Sequence, residues 1–321
     1  MLWLRSAWQL DMKIIPAKVA LCVHCNPGED DAARCCPSSL TDEVWAVIEP
    51  LLPVRDRYKG GRPRVWGDRL VLDSIFYVLR AGCQWRMVPH DLAPWWVAYR
   101  WYRSWAADGT WDTIHDELRA QVRVAAGRAP DPSAAVLDAQ SIKSSEGGEA
   151  RGFDAGKKTT GRKRHLVVDT LGLLLVVMVT SAAVQDRRGG RAILELLAAR
   201  FPSVALVWAD GGYANKIDSG ILGWAKEKLG LLLEIVKRSD DVKGFQVLPR
   251  RWVVERTFGW LIRHRRLARD YERLTATSEA MIKVAMIRLM ATRLAGQSVT
   301  WANATEREAL RRMKIETELT A

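Results

Sequence analysis

Three acidic residues stand in contexts that could build a catalytic site. Asp138 follows the apolar run AAVL, Asp210 follows VALVWA, and Glu255 lies in the arginine-rich stretch RRWVVERTFGWLIRHRR. Carboxylates from separate segments are typical ligands of hard divalent cations, which keep waters and substrate phosphates in the rest of their coordination shell. The three residues therefore predict metal-assisted chemistry on a phosphodiester.

The first two acids each end a predicted strand, and the third lies on a predicted helix. Short β-branched and apolar runs predict strands at about 134–138, 163–169, 173–180, 204–209 and 231–237. Helical periodicity predicts helices at about 188–200, 216–229 and 249–268. Three strands in succession, followed by strands alternating with helices, indicate an α/β fold with a mixed sheet covered by helices.

The chain before residue 125 has helical periodicity instead. One short helix would begin after Thr41, which can cap it, and end at Pro53. A second would span about 68–80 and a third about 95–105. Such helices, flanked by basic residues, favour a small all-α, helix-turn-helix-like module. Its candidate phosphate contacts are Arg62, Arg64, Arg100 and Arg103.

Composition points to a polyanionic partner. Lys and Arg number 49 against 37 Asp and Glu, for a net charge of +12 and a pI near 9.7. A surface of this charge attracts nucleic acid. The apolar run Leu173–Val179 is shorter than the roughly 20 residues of a membrane span. Charged residues also interrupt the apolar amino terminus, so we expect a cytoplasmic protein without a membrane partner.

Four cysteines crowd into the first 37 residues: Cys22, Cys25, Cys35 and Cys36. They could bind zinc, but their spacing fits no standard zinc knuckle. An irregular leader with reduced thiols is the favoured alternative. Both interpretations stay open from the sequence.

Several strings carry a resemblance to a known family: VLDAQSIKSS, GFDAGKKTTGRKRHLVVDTLGLLL, VQDRRG, WADGGYAN and RSDDVKGFQVLPRRWVVERTFGWLIRHRRLARDYE. They resemble the insertion-sequence transposases of the IS-five family, near relatives of the IS-four group. The resemblance covers roughly residues 40–295 and includes LTDEVWAVIEPLLP. It implies a ribonuclease-H-like DDE core. On this basis we divide the chain into a leader (1–37), a helical DNA-binding domain (38–125), a catalytic domain (130–296) and a tail (297–321).

The resemblance also implies an activity and its partners. Asp138, Asp210 and Glu255 match the family's catalytic carboxylates, which bind two Mg²⁺ ions, with Mn²⁺ as a substitute. The substrate would be double-stranded DNA, namely the element's terminal inverted repeats and target DNA. Pairing two ends implies at least a homodimer in a synaptic complex, in a bacterial cytoplasm and at the nucleoid. The predicted DNA contacts are Lys157, Lys158, Arg162, Lys163, Arg164, Arg250, Arg251, Arg256, Arg263, Arg265 and Arg266.

Alternatives remain at this stage. Asp169, Asp186, Asp240 and Asp241 are neighbouring acids that could replace a member of the proposed trio. A catalytically inactive or domesticated transposase that only binds DNA would share nearly all these features. A ribonuclease-H-like nuclease acting on branched or hybrid nucleic acid would share the metal chemistry, but it would not need the helical module.

Overall fold

The computed structural model describes residues 38–54, 65–213, 220–236 and 249–297. The cysteine-bearing leader, Arg62, Arg64, the Asp240–Asp241 pair and the tail beyond residue 297 lie outside the described residues.

Four helices form the amino-terminal part of the fold: α1 (Asp42–Ile48), α2 (Asp68–Ala81), α3 (Trp95–Ala107) and α4 (Thr110–Ala125). Thr41 caps α1 as predicted, because its hydroxyl oxygen accepts a hydrogen bond from the Val44 N–H at 3.3 Å. Gly82 ends α2 in a left-handed conformation (φ 69°) that glycine adopts without strain. Residues 82–94, which join α2 to α3, form a longer connection than the short turn of a helix-turn-helix. The helix α4 was not predicted.

Within the described residues, six strands form one mixed sheet: β1 (Ala134–Lys143), β2 (Gly152–Asp154), β3 (Thr159–Asp169), β4 (Leu174–Ser181), β5 (Leu206–Ala209) and β6 (Leu232–Ile235). Both β2 and β4 pair with β3, and the order continues through β1 and β5 to β6. The pairs β1–β3, β2–β3 and β3–β4 are antiparallel, whereas β1–β5 and β5–β6 are parallel. This confirms the predicted mixed sheet, although β1 and β3 are longer than predicted and β2 was not predicted.

Four further helices flank the sheet: α5 (Asp186–Arg200), α6 (Gly220–Leu229), α7 (Pro249–Ile262) and α8 (Thr275–Leu294). The two faces are separate because side chains alternate along a strand. Leu137 of β1 packs in a core with α5 and α6. Its neighbour Val136 packs in the other core, with α7, α8 and the amino-terminal helices. The predicted helix at 249–268 ends at Ile262, and α8 was not predicted.

The second of these cores is continuous between the helical region (residues 38–125) and the sheet. The buried side chains of α4 and α8 belong to one cluster, which also contains Val136 and Leu166 from the sheet. The Tyr102 hydroxyl of α3 donates to the Thr277 carbonyl of α8, and Lys283 Nζ lies 2.8 Å from a carboxylate oxygen of Asp112. The proposed boundary at residues 125–130 therefore separates two segments that share a core. No helix in the described ranges is long and apolar enough to cross a membrane.

Gly189 marks a close approach between α5 and the sheet. A Cβ atom at this position would lie 2.1 Å from His165 Cε1, and His165 is fully buried. We expect Gly189→Ala to lower the free energy of unfolding by about 1–3 kcal/mol, measured by urea denaturation. Gly259→Ala in α7 is the control, because its Cβ would meet no atom within 4 Å. It should raise stability by roughly 0.5–1 kcal/mol, and equal effects of the two changes would contradict this packing.

Candidate active site

Parallel pairing of β1 with β5 places two of the predicted acids side by side. Leu137 is the register partner of Ala209, so Asp138 and Asp210 occupy the next position on each chain. Val136 and Trp208, two residues earlier, both face the core that contains α7. The alternation of side chains carries the two carboxylates to this same face of the sheet. The sheet thus brings Asp138 and Asp210 together beneath α7.

The electrostatics of Asp138 reflect a partly buried acid beside a second acid. Its Oδ1 accepts a hydrogen bond from the Ala139 N–H at 2.7 Å. Burial, and to a lesser extent the negative charge of Asp210, raise the pKa of Asp138 to about 6. The side chains of Lys157 and Arg251 oppose these effects and lower the pKa. The pKa of Asp138 is therefore raised mainly because the carboxylate has lost hydration, and a bound cation would favour its ionised form.

Asp210 is held by a local turn. Its Oδ1 accepts a hydrogen bond from the Gly212 N–H at 2.8 Å, and a short 3₁₀ turn follows over residues 211–213. The Tyr213 N–H donates to the Asp210 carbonyl at 3.2 Å. This turn holds the Asp210 carboxylate just after the end of β5.

Glu255 is paired with an arginine of its own helix. It lies on the exposed side of α7, and its Oε1 accepts a hydrogen bond from Arg251 Nη2 at 3.3 Å. The same arginine lies close enough to Asp138 to lower the pKa of that carboxyl. Arg251 therefore stands between the third acid and the first. In the part of the chain that the structure describes, no three His, Cys, Asp or Glu side chains are grouped closely enough to hold a metal ion.

Asp138 and Asp210 nevertheless suit a hard divalent cation. Mg²⁺ is usually bound through one or two carboxylates, while waters and substrate phosphates complete its octahedral shell. Two neighbouring carboxylates at one edge of the parallel pair β1–β5 meet that requirement. In this structure Glu255 is paired with Arg251 instead.

Two further residues surround the acids. Lys157 Nζ donates to the Ala139 carbonyl at 2.8 Å, which places its charge next to Asp138. Tyr213 is buried, and its hydroxyl has no hydrogen-bond partner among the described atoms. Burial raises the pKa of Tyr213 well above its usual value, and the nearby charges of Asp138, Asp186 and Asp210 add to the effect. Sequence reasoning gave Tyr213 no role, although it lies three residues after Asp210 in WADGGY.

Comparison with known proteins identifies the family. The family model described as "Transposase DDE domain" matches residues 129–290, half of the chain. The chain belongs to the DDE transposases. A second model, described as "Putative transposase of IS4/5 family", matches residues 40–115 and confirms the group that the sequence resembles. DDE transposases generally use divalent metal ions, in agreement with the character of the two aspartates.

A curated relative of the transposase is the "Insertion element IS402 uncharacterized 16.2 kDa protein" of Burkholderia cepacia. The two are 34% identical over 119 residues, which make up 35% of this chain and 78% of the relative. No solved structure matches the chain.

The competing acids have other partners. Asp169 is fully buried, and its Oδ2 lies 2.5 Å from Arg123 Nη1. Its Oδ1 accepts hydrogen bonds from the N–H groups of Leu171 and Leu173, so Asp169 stabilises the turn between β3 and β4. Asp186 lies at the start of α5, 2.8 Å from Lys163 Nζ. Through these contacts, both residues stabilise the fold of the transposase.

Four of the predicted DNA contacts do not hold in this structure, because Arg162, Lys163, Arg164 and Arg266 are buried. Lys163 lies 3.2 Å from Asp154, and Arg266 lies 2.7 Å from Glu272. Arg164 donates to the Leu267 carbonyl at 2.9 Å. Side chains that have almost no exposed surface cannot reach a phosphate. The physical reason is that β3 extends back to Thr159 and the segment after α7 covers it.

The remaining predicted contacts reach the surface. Lys157, Lys158, Arg250, Arg263 and Arg265 are exposed, whereas Arg251 and Arg256 are partly exposed. Arg256 lies between the rings of Trp252 and Trp260, with its guanidinium carbon 4.7 and 4.8 Å from the two ring centroids. Arg250 stacks on Trp208 at 4.9 Å and pairs with Glu234 at 3.0 Å. The transposase therefore presents a basic and aromatic surface along α7.

Proposed function

We propose that this transposase binds the terminal inverted repeats of an insertion sequence and catalyses cleavage and strand transfer on double-stranded DNA. Asp138, Asp210 and Glu255 would be its catalytic, metal-binding carboxylates. The observation that carries the proposal is that Asp138 on β1 and Asp210 just after β5 are neighbours across a parallel strand pair, on the face that packs against the helix that bears Glu255.

Each acid has a separate task in this proposal. Asp138 and Asp210 would hold the metal, and Glu255 would complete the site after it leaves Arg251. Two bound Mg²⁺ ions, or Mn²⁺ ions, would supply Lewis-acid stabilisation of charge at phosphorus and activation of the attacking oxygen. The same residues can serve hydrolysis and strand joining, because only the nucleophile changes from water to a DNA 3′-hydroxyl.

The surroundings of the acids suit a DNA strand. Once Glu255 moves away, the guanidinium of Arg251 would be free to pair with a phosphate. The exposed side chains of Lys157 and Arg263 offer further positive charge. Beyond Asp138 along β1 lies a cavity of about 250 Å³ whose lining includes Gln140, Lys143 and Arg269. Its polar lining, which begins two residues after Asp138 on β1, is consistent with a path for the DNA backbone.

The activity can be tested on DNA that flanks the protein's own gene. The purified protein would be incubated with this fragment in Mg²⁺, in Mn²⁺ and in EDTA. We expect cleavage at the 3′ ends or strand joining in either metal, and neither in EDTA. Binding to the flanks without cleavage in either metal would instead support the alternative of an inactive transposase that acts only as a DNA-binding protein.

Metal binding should also stabilise the protein in the absence of DNA. A ligand at about 100 times its dissociation constant adds about 2.7 kcal/mol to the stability of the state that binds it. We therefore expect Mn²⁺ to raise the unfolding temperature measured by calorimetry, relative to NaCl at equal ionic strength. Asp210→Asn should remove most of this increase, and an unchanged increase in that variant would place the metal elsewhere.

A further inference from the structure

One face of α3 is basic, aromatic and exposed. Trp96 is 56% exposed, and Arg100 and Arg103 are also exposed. Their spacing of four and three residues places them on one side of the helix, which we call the α3 face. The sequence of α3, WWVAYRWYRSWAA, contains no acidic residue. The Asp108 carboxylate just after the helix accepts hydrogen bonds from the N–H and hydroxyl of Thr110.

The other helices of the helical region present different surfaces. The exposed side of α1 carries Asp42 and Glu43. No residue of α2 is exposed. On α4 the exposed side includes Glu117, and its partly exposed acids Asp112 and Asp116 pair with Arg200. A polyanion that approaches the helices of this region therefore meets favourable charge at the α3 face, as far as the described residues go.

The opposite side of α3 is firmly anchored. Val97, Ala98, Tyr102 and Trp105 are buried, and the Tyr102 hydroxyl bonds to α8. The ring of Trp85 packs against the ring of Tyr102, with 5.3 Å between the two ring centroids. A helix fixed in this way loses little conformational freedom when its free face binds a partner.

We propose that the α3 face reads the base sequence of the transposon ends from the major groove of duplex DNA. This inference rests on the proposed function, because it supplies that function with its recognition surface. The major groove is about 12 Å wide and admits an α-helix. Arg100 and Arg103 are separated by about 4.5 Å along the helix axis, close to the roughly 3.4 Å between base pairs, so each can meet a different pair.

The side chains suit such contacts chemically. An arginine can donate two hydrogen bonds to the O6 and N7 atoms of guanine, which is the commonest specific contact with DNA. Trp96 lies near the amino end of α3, the part of a recognition helix that contacts base edges. Its ring can supply apolar contact to a thymine methyl group.

The inference is tested by fluorescence anisotropy on two labelled duplexes, one carrying the flanks of the protein's own gene and one with the same bases shuffled. Arg100→Ala and Arg103→Ala should each weaken binding to the flank duplex by about ten- to a hundredfold. They should also reduce the preference for flank over shuffled DNA. Arg128→Ala is the matched control, because it removes the same charge from an exposed position just after α4 and should leave the preference intact.

Other results would overturn the inference. Variants that keep wild-type affinity and preference would place the reading surface elsewhere. Equal losses on both duplexes would show contact with phosphates rather than bases. A Trp96→Ala variant that binds DNA normally but changes oligomeric state in light scattering would assign the α3 face to a second copy of the chain. In each case, cleavage of the flanks by the wild-type protein would leave the proposed function standing, whereas its absence would remove that function as well.

Discussion

Asp138→Asn is expected to abolish DNA cleavage while making the metal-free protein more stable. The loss of activity should be about a thousandfold or more, because the variant removes a proposed metal ligand. Asparagine keeps the Oδ1 atom that accepts the Ala139 N–H, so β1 should stay folded. Cleavage of flank DNA in Mg²⁺ measures the first effect, and urea denaturation in EDTA measures the second.

The gain in stability follows from the sign of the pKa shift. Burial raises the pKa of Asp138 to about 6, above the value of about 3.9 for an aspartate in an unfolded chain. The ionised carboxylate therefore opposes folding increasingly as the pH rises from about 4 to 6, and fully above that range. Because solvent partly reaches Asp138, the ionised carboxylate should destabilise the fold by about 1–2 kcal/mol at about pH 8. At about pH 4 the variant and the wild type should unfold at nearly the same urea concentration.

The control for this experiment is Asp169→Asn. Asp169 is buried and paired with Arg123, so its substitution should destabilise the protein instead, by about 3–5 kcal/mol. If Asp138→Asn raises the free energy of unfolding and Asp169→Asn lowers it, Asp138 serves the chemistry and Asp169 stabilises the fold. An Asp138→Asn protein that cleaves DNA normally, or that unfolds more easily at about pH 8, would argue against the proposed site.

Arg162→Ala should also cause a large loss of stability. The side chain has no exposed surface, and its guanidinium donates to the carbonyls of Glu149, Glu272 and Arg273 and to Asp270 Oδ1 at 3.2 Å. Alanine would leave the buried Asp270 carboxylate without this partner. The free energy of unfolding should fall by about 3–5 kcal/mol in urea denaturation.

Lys158→Ala provides a matched comparison, because it removes one positive charge from the loop just before β3 at an exposed position. Its stability should change by less than about 0.5 kcal/mol. It should instead weaken DNA binding and lower the salt dependence of that binding. Similar unfolding midpoints for the two variants would contradict a structural role for Arg162.

The sequence predicted the strands of the sheet better than the helices that pack around them. The strands that carry the two aspartates were readable because apolar runs and the family motifs agree around Asp138 and Asp210, although β1 continues to Lys143 beyond its predicted end. The pairing of Arg251 with Glu255 also follows from their spacing of four residues on one helix. The α8 helix gave little periodic signal, because many of its residues are buried around much of its circumference.

The burial of Arg162 could not be predicted from local sequence. Its charged partner Asp270 lies more than a hundred residues away along the chain, on the segment between α7 and α8. Locally, the string KKTTGRKRH has the composition of an exposed basic loop. Only the tertiary fold, which brings that segment across β3, shows that the arginine holds the protein together.

The continuous core between the helical region and the sheet has a consequence for the position at which the proposed activity would cut DNA. Tyr102 of α3 contacts α8, and α8 packs in the same cluster as Val136, two residues before Asp138. With the α3 face as the reading surface, the number of base pairs between the recognised sequence and the cleaved bond would be fixed by this packing. Substitutions that shift α8 would then move the cleavage position along the DNA, in addition to changing the amount of product.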